Sequence, residues 1–263
     1  MFIRRSSILF LLIPLFFTAG AQQWEVGLNA GGAGYMGDLN LNNPLKISGI
    51  NAGISVKRNI DSYFGIIFQY EHGRIKGNDA SSGNAQFRDR NLSFKTSLNE
   101  LSLGLEFNFL EYMSGVGRRR FSPYLFAGGG ILFFQPTADY NGDTYDLSSF
   151  RTEGQTEPYK RISITIPYGF GIRYNLNENF NLFSRIGYRT AFTDYIDDVS
   201  GVYADPVAAG LSPIGTILSD RSGENTGSYL GKAGTQRGDF RKRDTYMFVG
   251  IGISYTFVSS KCY

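Results

Sequence analysis

Over most of its length this chain alternates large apolar residues with small or polar ones, one for one. Leu101, Leu103, Leu105, Phe107 and Phe109 hold one parity, and Ser102, Gly104, Glu106 and Asn108 hold the other. Ile162, Ile164, Ile166, Tyr168, Phe170, Ile172 and Tyr174 alternate in the same way with Ser163, Thr165, Pro167, Gly169, Gly171 and Arg173, and residues 247–257 repeat the pattern. Successive side chains of a strand point to opposite faces, so each segment reads as a strand with one apolar and one polar face. Looser versions run over 24–36, 47–57, 63–76 and 180–192. Residues 121–134, centred on Gly128-Gly129-Gly130, are strand-like with ambiguous parity. These segments make eight strands, and no helical periodicity of comparable length accompanies them.

The connections between them fall into two sets. Links 58–62 and 175–179 are tight and contain Asn, a residue suited to turns, and 110–120 is a longer turn on the same side. The opposite side carries 37–46, 77–98, 137–161 and 193–242, which range from ten to fifty residues and are rich in Gly, Asn, Asp and Ser. Short turns at one end and long polar loops at the other are the pattern of an outer-membrane barrel. The expected fold is therefore all-β, an eight-stranded antiparallel transmembrane β-barrel with short periplasmic turns, long extracellular loops and both termini in the periplasm. A soluble lipocalin-like barrel also has eight strands. It would turn the apolar parity inward and would not need the aromatic strand ends seen here. A mean hydropathy of −0.19 argues against a helical membrane protein and fits a barrel with one polar face.

The first residues read as an address. Arg4 and Arg5 precede an apolar stretch from Ile8 to Phe17, and Ala19-Gly20-Ala21 supplies small residues for cleavage. The stretch is shorter than the roughly 20 residues a spanning helix needs. Residues 1–21 are thus expected to be a signal peptide and 22–263 the barrel domain. No cysteine follows the apolar stretch to take a lipid anchor. A single Cys, Cys262, excludes a disulfide framework or a thiolate metal site, and a single His excludes multi-histidine centres. A net charge of +3 with both signs interspersed leaves no nucleic-acid footprint.

Charge decides which parity meets lipid. The polar parity carries Glu25, Lys57, Glu71, Glu106, Arg173, Arg185 and Arg189. A charge facing lipid at the midplane costs roughly 2–4 kcal/mol, so these side chains belong in the lumen. An eight-stranded lumen is only wide enough to be filled by side chains. Residues of opposite sign inside it read as an ion-pair plug, with a narrow channel as the alternative. Tyr70, Tyr168, Tyr174, Tyr188 and Tyr255 are then candidates for interface anchors.

Catalytic signals are weak, and no enzymatic role, cofactor or metal is assigned. His72 beside Glu71 offers a base without a Ser partner, and reads as an interfacial polar residue. Asp194, Asp197 and Asp198 form the densest carboxylate cluster, which suits calcium ligation or acid–base work in principle but lacks EF-hand spacing. A solvated, turn-forming strand exit accounts for them more simply. Gly128-Gly129-Gly130 is followed by neither Lys-Ser/Thr nor a helix, and is no phosphate loop. Arg118-Arg119-Arg120, in the longer periplasmic turn, could rest on anionic headgroups or dock an acidic partner surface.

Several motifs together resemble a known family. Glu25-Val26-Gly27 followed by Tyr35-Met36-Gly37-Asp38-Leu39, Ser122 to Gly129, Thr152-Glu153-Gly154-Gln155, Ile166 to Gly171, and above all Arg189 to Ser200 with Asp194, Tyr195, Asp197 and Asp198, are similar to the PorG-like outer-membrane barrels of the Bacteroidota. The resemblance implies a component of the type IX secretion and gliding machinery. In that family the barrel is thought to tether a periplasmic ring, made of a lipoprotein and its partner, to the outer membrane, while a larger barrel forms the secretion pore. It supplies no catalytic residues. A surface-loop module for adhesion or ligand capture is a further alternative, favoured by the length of the last loop.

Overall fold

The computed structural model describes residues 23–112 and 120–257. The expected signal peptide, Arg118, Arg119 and Cys262 lie outside the described residues. Nine strands are present among the described residues: β1 (Gln23–Met36), β2 (Ile47–Asn59), β3 (Phe64–Asn78), β4 (Ser93–Asn108), β5 (Phe121–Tyr140), β6 (Asp143–Asp146), β7 (Ile162–Asn175), β8 (Phe180–Ala191) and β9 (Thr245–Phe257). All pairings are antiparallel, in the order β4-β3-β2-β1-β9-β8-β7-β5, and β4 also pairs with β5. That last pairing closes the sheet, so eight of the strands form a barrel with no free edge. The ninth, β6, folds back on the end of β5 through Asn141-Gly142, both at positive φ as a two-residue hairpin of this kind requires. Four short helices, α1 (Ala85–Arg90), α2 (Leu147–Phe150), α3 (Pro213–Ser219) and α4 (Gly223–Thr226), sit in the long loops at one end. No helix among the described residues is long and apolar enough to cross a membrane.

The outer wall is apolar. Leu103, Leu105, Ile164, Phe170 and Ile251 all point outward and are more than half exposed. A soluble protein rarely leaves so large a contiguous apolar surface uncovered, whereas a bilayer covers it. At the short-turn end this wall finishes in a ring of aromatic side chains: Trp24, Phe64, Phe107, Phe121, Tyr174, Phe180, Tyr255 and Phe257 are exposed there. Neighbouring rings touch across the ring, Phe64–Phe107 at 5.1 Å and Phe180–Tyr255 at 5.2 Å between centroids. Such girdles mark a membrane–water interface.

Two strands are longer than the alternation predicts. β4 begins at Ser93, although 77–98 reads as loop, and β5 runs on to Tyr140, past the expected end at 134. Near the long loops the two faces exchange character. Lys95, Gln135 and Asp139 point outward there, whereas Phe94, Leu98, Leu132 and Phe134 point inward. Apolar-out alternation therefore breaks while strand pairing continues: Lys95 pairs with Thr137 and Leu98 with Phe134. The ambiguous parity of 121–134 has a related cause. Tyr124 and Phe126 face the lumen while Leu125 and Ile131 face out, so both faces are apolar. Glycines on the facing wall make room for the rings. A Cβ at Gly171 would lie 2.4 Å from the Tyr124 ring, and one at Gly187 would lie 2.5 Å from Phe126.

Candidate functional site

The lumen is filled from the short-turn end upward by three tiers of charge. In the lowest, Lys57 Nζ lies 2.9 Å from Glu25 and 3.3 Å from Glu106, and the Arg173 guanidinium lies 2.9 Å from Glu106 and 3.7 Å from Glu25. Tyr112, fully buried, folds in from the adjoining turn beneath this tier, its ring 5.0 Å from Lys57 Nζ and 4.8 Å from the Arg173 guanidinium carbon. In the middle tier Arg185 pairs with Glu71 and donates to Asn29 Oδ1 at 2.9 Å. Asn29 and Asn51 donate back to Glu71 at 3.2 and 3.1 Å. In the upper tier Arg189 stacks over Phe248 and approaches Glu100 to 3.6 Å, and Glu100 also accepts from Tyr246 and from Thr165.

The apolar alternation starts this strand at Leu101 and so passes over Glu100, which lies inside β4. Its even parity, shared with Ser102 and Glu106, is the signal that finds it. With Glu100 the ladder balances: Glu25, Glu71, Glu100 and Glu106 against Lys57, Arg173, Arg185 and Arg189, all buried. Charges in so dry a space need partners within reach, since an unpaired one carries its desolvation cost uncompensated. Little room is left over. The cavity bounded by Glu25, Lys57, Glu106, Arg173 and Arg185 has a volume of about 10 Å³, on the scale of one water molecule.

Above the ladder the lumen becomes apolar and is closed by the loops. Inward Ile75, Phe94, Leu98, Leu132, Phe134 and Phe248 pack with Leu39, Leu92, Leu147, Ile196, Val199 and Leu218 from the loops. The 194–200 segment is the centre of this cap. Ile196 is fully buried; its carbonyl accepts from Thr96 Oγ1 at 2.6 Å and its N–H donates to Asp244 at 2.9 Å. The solvated strand exit expected for this segment is therefore overturned for Asp197 and Asp198, which are 2% and 1% exposed. Asp198, held at φ +67°, accepts from Thr152 at 2.6 Å and Tyr159 at 2.7 Å and pairs with Arg237 at 3.5 Å. Asp197 accepts from Tyr35 and from the Val199 N–H. Tyr159 in turn stacks on Tyr195 with centroids 4.4 Å apart. Glu153 accepts from the N–H groups of Ser200 and Gly201 and pairs with Arg237 at 3.0 Å. Two separate sequence motifs, 152–155 and 189–200, thus meet in one latch. The last loop, whose length is unusual for a connection without structure, carries α3 and α4; Ser212 caps α3 by accepting from the Gly215 N–H at 3.0 Å.

Carboxylates crowd beneath this latch. Oxygens of Asp38, Asp194 and Asp244 lie within 4.8 Å of one another, and none of the three has an ion-pair partner among the described residues. Oxygen ligands at that spacing can bridge a hard cation. Protonation relieves the same repulsion. Burial, with the neighbouring Asp239 and Asp194, pushes Asp38 up to about 7, and burial raises Asp194 to about 6. Asp197 rises to about 8 and Asp198 to about 6, in both cases mainly by burial, with Arg237 opposing. Asp244 is driven well above its ordinary range by burial and by Asp197, Asp38 and Asp194.

The remaining candidates separate. His72 faces outward with Nδ1 2.9 Å from Asn99 Oδ1, while Glu71 faces the lumen, so the two do not form a site. Arg120 is exposed at the short-turn end, immediately before β5.

The family model of a domain of unknown function, DUF6089, matches residues 4–205. The chain belongs to the DUF6089 family. That match spans the first seven barrel strands and the 194–200 segment of the cap. A comparison with curated proteins finds no match. Solved structures similar to the chain include the attachment invasion locus protein Ail of Yersinia pestis, at 10% identity and a TM-score of 0.43 over 90% of this chain and 100% of that one. The neisserial surface protein NspA gives 14%, 0.43, 89% and 97%, and the outer-membrane protein OprG of Pseudomonas aeruginosa gives 12%, 0.39, 91% and 99%. At these scores the architecture stands on the strand pairing described above.

Proposed function

We propose that this DUF6089 barrel resides in the outer membrane, short turns in the periplasm and long loops outside, delivered there by residues 1–21 as a cleaved signal peptide. It acts as a non-enzymatic anchor for the periplasmic ring of the type IX secretion machinery. The observation that supports this reading is the filled lumen: a balanced ion-pair ladder with Tyr112 packed below it and the loop cap above. A barrel without a conduit or an open edge is a rigid peg in the membrane, and its work falls to its rims. The likeness of the 189–200 and 152–155 motifs to the PorG-like barrels favours a ring of a lipoprotein and its partner as the periplasmic contact. The basic run Arg118-Arg119-Arg120 is the docking candidate.

The test is affinity purification of the tagged chain from outer membranes in mild detergent, followed by mass spectrometry. Ring components should co-purify, and reversal of the three arginines to Glu should reduce their recovery without lowering barrel yield. A barrel that comes down alone contradicts the anchor. One observation favours a second reading, ligand capture by the loops: a cavity of about 420 Å³ in the cap, lined among others by Asp38, Phe87, Arg90, Tyr203 and Arg237. Trimming the last loop separates the two, because an anchor still supports secretion without it.

A further inference from the structure

We propose that the outer wall of β2, β3 and β4, just beyond the apolar belt at the long-loop end, binds the phosphate groups of an outer-leaflet glycolipid headgroup. The proposal rests on the outer-membrane reading, which fixes that end as the one facing the outer leaflet.

Height is the first argument. The outward series of β3 runs Phe64, Ile66, Phe68, Tyr70 and then His72, Arg74, Lys76; on β4 it runs Phe107, Leu105, Leu103, Leu101 and then Asn99, Ser97, Lys95. The belt ends on both strands at one level, where Tyr70 Oη donates to Asn99 Oδ1 at 2.9 Å. Arg74 lies four residues beyond Tyr70, about 13 Å along the strand and roughly 10 Å along the membrane normal at a tilt near 40°. The headgroup layer is about 5–8 Å thick on each side of the hydrocarbon, so His72 and Asn99 lie within it, and the Arg74 backbone lies just outside it, with a side chain long enough to reach back.

Charge is the second. Lys76 sits directly opposite Lys95 across the β3–β4 ladder, and like charges in that position repel. Ser48 Oγ accepts from the Lys76 N–H at 3.3 Å, which brings the start of β2 alongside, and Lys46 completes a groove of about 430 Å³ shared with Lys76, Lys95, Asn78 and Ser93. Among the described residues only Asp139 answers these cations, through Lys95. Lys46, Arg74 and Lys76, all exposed, have no ion-pair partner among the described residues. Asp139 of β5 lines the same groove beside Lys95, and the outward Gln135 and Thr137 next to it carry no charge, so β5 bounds the basic patch on that side. Lysines with adjacent hydroxyl and amide donors suit a phosphate, and a phosphate held at this height relieves the cross-strand repulsion.

Native mass spectrometry of the full chain in detergent tests this, with bis-phosphorylated lipid A and its dephosphorylated form as probes. The chain should retain the phosphorylated lipid selectively. Because one basic residue near an anionic surface contributes about fivefold, the Lys46→Gln, Arg74→Gln, Lys76→Gln triple variant should weaken retention by more than twentyfold. A Lys160→Gln, Lys242→Gln control, on exposed loop positions, should retain the lipid as the natural chain does. Equal retention of both lipid forms, or an unchanged triple variant, overturns the proposal. Heat-modifiable gel migration of the same samples reports the folded barrel separately. A chain that folds but holds no lipid contradicts the phosphate site alone, and a chain that forms no barrel contradicts the reading beneath it as well.

Discussion

At the residue scale the lumen depends on pairing, and Glu100 is its most informative member. Arg189 has no other carboxylate within salt-bridge distance among the described residues, and it is 1% exposed. Glu100→Gln should therefore strand a buried guanidinium and cost roughly 3–5 kcal/mol. Adding Arg189→Met should recover most of that loss, because replacing a buried pair by apolar groups of similar volume is often neutral. Unfolding midpoints in urea, followed by heat-modifiable gel migration, check both. A single variant as stable as the parent would mean that water reaches Arg189. The seven other charges of the ladder were legible from parity and sign alone. Glu100 was hidden because the strand carrying it turns its apolar side inward nearer the loops. Tyr112 carried no signal at all, since a turn residue that folds into a lumen leaves no periodicity.

At the scale of elements, strands and loops differ in how far the sequence discloses them. Where one face meets lipid and the other a polar lumen, alternation marks the strand, as in β7 and the second half of β4. Beyond the bilayer Phe94, Leu98, Leu132 and Phe134 turn into a packed core while Lys95 and Gln135 meet water, and the expected alternation fails although the ladder continues. The cap is held by contacts far apart in sequence, such as Thr152–Asp198 and Glu153–Arg237, which no local pattern encodes. Its titration has a definite direction. Asp38, Asp194, Asp197 and Asp198 all hold protons in the folded cap more tightly than free carboxyls do, up to about 8 for Asp197. Stability from these groups is full below about pH 4, and it declines as the pH rises through their folded values toward 8. Arg237 beside Asp198 and Arg90 near Asp38 oppose the rise and so moderate the decline. Amide hydrogen exchange in residues 194–200 should accelerate, after correction for intrinsic rate, between pH 5 and pH 9, while mid-barrel strands stay protected. A cap that tightens over that range would contradict the burial assigned to these carboxylates.

At the scale of the whole molecule, the barrel combines a lipid-facing apolar wall, a charge-balanced interior and a loop cap that closes one mouth. Among the described residues the charged ladder leaves a cavity of only about 10 Å³, and that packing supports both the anchor reading and the assignment of function to the rims. Current recording across a planar bilayer containing the purified full chain tests it most directly. The account predicts no steady open level for the natural chain at moderate voltage and neutral pH. A reproducible, ohmic single-channel conductance from the folded barrel would contradict the sealed lumen and make the protein a channel.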